Sequence, residues 1–173
     1  MFGLVLVPTA FLIERSITTP DFDTALFRLL PAAFALPILM FPLWPQWVRA
    51  WFPIYWIVAL IVVFPFTYSA VLVLNAAMAK GPLHPIWMFE FLFSLFVLVQ
   101  FTSHTRLCIV MLIVGFFAGL STLLWVDNPN WQSLYVNVLL PAPVFLTTFA
   151  VLLISNRHVF KAQEEKLIAL QFM

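Results

Sequence analysis

Charged and amide side chains are so scarce in this chain that those falling within or at the edge of an apolar stretch are the first candidates for chemistry. Trp87, Glu90, Arg28, Glu14 and Asn75 form such a set. Arg28 lies one turn inside the outer end of the second apolar stretch, and Glu90 about one turn inside the outer end of the fourth, just after Trp87. Glu14 closes the first stretch and Asn75 the third, so all of them fall at one depth. An ionised group inside a membrane span is costly and usually pairs or faces a cavity. Arg28 paired with Glu14 or Glu90 would form the rim of a ligand pocket, with the Trp87 indole N–H placed to donate to a ligand oxygen. The competing expectation is that each side chain snorkels separately to the interface.

Other chemistry finds no foothold. His84, His104 and His158 sit in loops or in the tail, and none has a second ligand at helical spacing. Four glycines leave no phosphate-cradling loop, and the single Cys108 excludes an internal disulfide or a multi-thiolate metal site. No catalytic residue, metal or cofactor is expected within these residues. Phe89, Phe91, Phe93 and Phe96 crowd the fourth stretch, and at helical spacing such residues face lipid or pack more often than they form a ligand box.

The elements that must position these groups follow from composition. Of 173 residues, 64% are hydrophobic and 9% charged, with a mean hydropathy of +1.07. A soluble domain needs roughly 25% charged residues to cover its surface, so lipid must be the solvent for most of this one. A net charge of +1 gives no basic surface for nucleic acid. Six apolar stretches are predicted as spans of an all-α bundle, since lipid leaves no partner for an unpaired backbone group. The first, Met1 to Ile13, lacks the basic start and cleavage site of a signal peptide and reads as a span whose beginning is short or missing. The others run from about Ala25 to Trp44, Phe52 to Leu74, Pro85 to Phe101, Leu107 to Val126 and Leu134 to Ser155. Short breaks rich in Pro, Gly, Asn, Asp and Ser (SITTPDFD, WPQWVR, KGPLHP, TSHTR, DNPNWQ) make neighbouring helices antiparallel. Pro31, Pro37, Pro65, Pro141 and Pro143 fall inside spans, where they free carbonyls and kink helices.

Lysine and arginine orient the bundle. Arg49, Arg106, Arg157, Lys161 and Lys166 fall on the side of the C-terminus, against Arg15, Arg28 and Lys80 on the other, so both termini are expected in the cytoplasm. Trp44, Trp47, Trp51, Trp125 and Trp131 lie at span ends, as an aromatic belt requires. The chain then divides into a transmembrane domain, 1–155, and a charged juxtamembrane helix, 156–173. In that helix Phe160, Gln163, Leu167 and Leu170 recur at spacings of three and four, the rhythm of a dimerising coiled coil over barely two heptads. A solvated helix with no partner reads the same way.

In the order of its features the chain resembles the membrane sensor domain of CqsS-like quorum-sensing histidine kinases, which detect α-hydroxyketone autoinducers. Pro8 and Glu14, Asp21-Phe22-Asp23 leading to Leu26 and Arg28, Phe52-Pro53 with Tyr55-Trp56, and Pro65-Phe66 carry the resemblance, with Asn75, Trp87-Met88 and Thr105-Arg106. It covers nearly the whole chain, through scattered residues. The resemblance implies a multi-pass sensor in the bacterial inner membrane, binding a small amphiphilic signal through span four and later spans. It also implies a homodimer through the tail, QEEKLIALQFM, which leads toward a histidine box and an ATP- and Mg-binding domain of a two-component phosphorelay. The histidine box itself is absent, so phosphotransfer is assigned to no residue here. Glu90 departs from the family pattern, where the related position looks like a small polar residue; a carboxylate there favours a hydrogen-bond donor or a cation. A small transporter or channel subunit, or a sensor for another output such as a nucleotide cyclase, would share most of these features.

Overall fold

The computed structural model describes residues 25–102 and 104–171, and all regular structure among them is helical. Five principal helices follow one another. They are α1 (Ala25–Leu39), α2 (Phe52–Met78), α3 (Ile86–Phe101), α4 (Thr105–Trp125) and α5 (Ala142–Gln171). The predicted first span, with Glu14, lies outside the described residues. Among the described residues three segments are long and apolar enough to cross a membrane: Phe52–Met78, Thr105–Trp125 and Trp131–Ala162, the last taking in the lead-in to α5. α1 and α3 are apolar but shorter, at 15 and 16 residues. The end of the bundle formed by the 79–85 and 126–130 connections is called upper here, and the end where α5 leaves is called lower.

Proline sets most of the boundaries. The second span was expected to reach Trp44, but α1 stops at Leu39 and gives way to a 3₁₀ turn, Phe41–Leu43, and a single α-turn, Gln46–Arg49. Pro42 and Pro45 remove two backbone donors, and Trp44, before Pro45, is pushed to an extended ψ of 136°. Arg49 staples this connection. Its Nε donates to the Trp44 carbonyl at 2.9 Å, its Nη2 donates to Pro42 at 2.7 Å, and its guanidinium lies 5.7 Å from the Phe41 ring centre. At the upper end Asn128 adopts a φ of 58°, which asparagine tolerates better than most residues, and turns the chain toward α5.

α2 is the centre of the bundle. Everything from Thr67 to Ala77 is buried except Tyr68, and the helix packs against α1, α3, α4 and the lead-in to α5. Around Pro65 it widens into a π-turn, Val62–Phe66, because proline supplies no N–H to the regular ladder. Side chains then satisfy carbonyls that the irregular turn leaves free. Thr67 Oγ1 donates to Val62 at 2.6 Å, and Ser69 Oγ lies against the Pro65 and Phe66 carbonyls. The helix also runs one turn past Leu74, through Ala76, Ala77 and Met78, so Asn75 lies inside it rather than closing it.

α4 meets α2 through Gly115 and Gly119, four residues apart in the run GFFAG. A Cβ on Gly115 would sit 2.5 Å from Pro65 Cγ, and one on Gly119 would overlap the Ser69 side chain and lie 2.9 Å from the Ala70 nitrogen. Such small-residue pairs let helix backbones approach where lipid supplies no hydrophobic drive for association.

The lead-in to α5 is one α-turn, Trp131–Leu134, followed by a second π-turn, Tyr135–Leu139, just before Pro141. From Ala142 the helix is unbroken to Gln171 and packs chiefly against α3. Trp47, Trp51, Trp125 and Trp131 are all exposed at helix ends, as expected of belt residues, while Trp44 is half-buried.

Candidate functional site

Among the described residues, a space that a ligand could enter lies between α3, α4 and α5. It is a cavity of about 260 Å³, near the lower end of small-molecule sites, which begin at roughly 300 Å³. Phe91 and Leu95 line it from α3, Leu112, Ile113, Phe116 and Phe117 from α4, and Ala142, Phe145 and Leu146 from the first turns of α5. Every lining side chain is hydrocarbon. Phe91 anchors the wall, with its ring centre 5.3 Å from Phe145 and 6.0 Å from Phe116. Ile113, Phe117 and Leu146 are exposed, so the cavity opens sideways between α4 and α5, toward what would be lipid. An apolar sleeve open to the side can hold an alkyl chain but cannot by itself orient a polar head.

Polar groups gather toward the upper end. Trp87 is buried in the first turn of α3, one turn and about 6 Å above Phe91 on the same face of the helix. Glu90 follows it, half-buried. Asn75 is 1% exposed; its Nδ2 donates back to the Val71 carbonyl at 2.9 Å, and among the described residues its Oδ1 is a buried acceptor without a donor. An acceptor in that state costs about 1–3 kcal/mol, so it marks a place where an arriving donor is rewarded. Asn130 ties the end of α2 to the start of the last span. Its backbone N–H donates to Ala77 at 2.7 Å, its Nδ2 to Ala79 at 3.0 Å, and its Oδ1 accepts from the Ser133 N–H at 3.0 Å.

Of the expected set, then, Trp87, Glu90 and Asn75 fall in the upper half of the bundle, two of them buried. Arg28 is in the first turn of α1, with its side chain outside the described residues, as is all of Glu14. Of the four crowded phenylalanines, Phe89, Phe93 and Phe96 face outward and Phe91 alone is buried, at the cavity. Sequence reasoning missed the facing wall of Leu112, Phe116 and Phe145, and it missed Gly115 and Gly119. The glycine pair was findable, because small residues four apart in an apolar run signal close helix packing.

At the lower end Asn156 Nδ2 donates to the Val99 carbonyl of α3 at 2.6 Å, and Thr102 Oγ1 donates to Leu98 at 2.7 Å. Among the described residues no three His, Cys, Asp or Glu side chains come together in a metal-binding group.

Among the described residues, an all-α bundle packed around α2, with three segments long and apolar enough to span a bilayer and an apolar cavity open to the side, defines a multi-pass membrane protein. No protein-family model matches the chain, and neither curated proteins nor solved structures include a match to it.

Proposed function

We propose that this chain is the membrane sensor domain of a two-component histidine kinase, binding a small amphiphilic signal of the α-hydroxyketone type and passing its occupancy to output domains beyond the tail. One observation carries the reading. A single unbroken helix, α5, forms a wall of the apolar cavity at Phe145 and emerges from the bundle as a charged tail. The signal's alkyl chain would occupy the cavity, with its polar head toward Trp87, Glu90 and Asn75. Arg28 and Glu14, in this reading, complete the rim. A ketol hydroxyl is the kind of donor that the Asn75 Oδ1 lacks. Binding shifts the balance between two packings of the bundle only through its different affinity for each. The tail helices of a homodimer in the inner membrane, with both termini cytoplasmic, would carry that balance to an ATP- and Mg-dependent kinase.

The test is autophosphorylation of the whole gene product in proteoliposomes with Mg-ATP, titrated with a medium-chain α-hydroxyketone. A dose-dependent change is expected, and Trp87→Ala should weaken it without preventing accumulation of the protein. A response untouched by Trp87→Ala at every dose removes the pocket from the upper end. An absence of any phosphorylation removes the kinase reading.

A further inference from the structure

Two features of α5 stand apart from the rest of the bundle. Among the principal helices it packs mainly against α3, and only 17% of the membrane-length window of Trp131–Ala162, the segment it shares with its lead-in, is buried. At the cavity, Phe145 meets the Phe91 ring of α3. At the lower end, Asn156 donates to Val99, a residue of the last turn of α3 whose carbonyl has no regular helical partner. Between these points Phe149 is buried in the core and Leu152 and Leu153 pack against it, all of them apolar contacts without direction. Beyond Asn156 the side chains of Arg157, His158, Val159, Phe160 and Lys161 are all exposed. Among the described side chains Asn156 is therefore the last hold the bundle has on this helix, and a directional one.

We infer that Asn156 is the pivot of α5, a positioning residue whose amide gives the helix its directional hold on α3, so that displacement at the cavity returns with opposite sign in the tail. The inference deepens the sensing role and depends on it only for its biological meaning. A rise of about 1.5 Å per residue puts Phe145 about 16 Å to one side of Asn156 and Ile168 about 18 Å to the other. With arms so nearly equal and the helix unbroken between them, an outward push at Phe145 draws the tail inward by about the same distance. An apolar contact such as Leu152 slides under load, whereas a hydrogen bond to a fixed carbonyl resists translation and permits rotation. Without the Asn156 amide, the same push would carry the whole helix outward.

The test needs neither signal nor kinase. Spin labels are placed at Arg106→Cys and Ile168→Cys in a Cys108→Ala background, in lipid nanodiscs. Leu112→Trp then fills the cavity from α4 and pushes α5 away. The label-to-label distance is expected to shorten with Asn156 present, by less than the displacement at Phe145, because the two labels are also separated by roughly 18 Å along the helix axis. In Asn156→Leu, which matches the size of the side chain but donates nothing, the change should vanish or reverse. Asn156→Gln, which keeps the amide, should restore the shortening, an outcome that a merely structural role would not produce. An equal shift with and without the amide overturns the pivot, as does no shift when Asn156 is intact. Either result leaves the kinase assay unaffected, so failure of the pivot and failure of the sensor reading are separable.

Discussion

α2 and α5 are both long enough to cross a membrane, and they use that length in opposite ways. In α2, 56% of the membrane-length window is buried, against 17% in the segment that includes α5. α2 is locked between glycines of α4 on one side and α1 and α3 on others; Thr67 and Asn75 turn back onto its own carbonyls, and Tyr55 donates across to the Phe34 carbonyl of α1. α5 presents Val144, Leu146, Val151 and Ile154 outward and holds the bundle along one stripe, through Phe145, Phe149, Leu152 and Leu153 and the Asn156 amide. A helix that loses many contacts when it moves serves as a frame; a helix that loses few can move. Substitutions should therefore cost much on the first and little on the second.

The largest effect is expected at Gly119. Gly119→Leu drives a side chain into Ser69 and the Ala70 backbone, and should lower the stability of the bundle by about 3 kcal/mol or more, read from thermal unfolding in detergent. Leu72→Ala, at a fully buried position of α2, should cost about 2 kcal/mol in the same assay through lost packing. Asn75→Leu sharpens the contrast by reversing the sign. It removes the donorless acceptor, so the protein should gain about 1 kcal/mol while its response to the proposed signal falls. On α5, Val151→Ala at an outward position should stay within about 0.5 kcal/mol of the parent. A large loss there would break the comparison and show that α5 is packed by something beyond this chain.

The helices were legible in the sequence because lipid allows so few alternatives. Their ends were legible where proline dictates them, though the effect of Pro42 and Pro45 on the end of α1 was underestimated. Inside and outside were not legible. In water a helix separates apolar from polar faces, but in a bilayer both the packed and the lipid-facing sides are hydrocarbon. Phe89, Phe91 and Phe93 are identical in type, and only the three-dimensional packing makes Phe91 a cavity wall and the others a lipid surface. Asn75 was legible as an oddity, but its burial inside α2 was not, since Ala76, Ala77 and Met78 could equally have begun a loop.

The wide turn at Val62–Phe66 carries one residue more than regular α geometry needs, and that surplus has a consequence for which sequence changes α2 can absorb. Deleting Pro65, whose missing N–H opens the turn, would tighten it to the ordinary pitch and leave Ser69 and Asn75 pointing where they point now. A one-residue deletion in the regular helix on either side would change the phase of everything beyond it by about 100°. Ser69 would then leave Gly119, and Asn75 would turn out of the core. Tolerance of a missing residue in α2 is thus centred on Pro65, and single-residue deletions scanned along the helix should find it there.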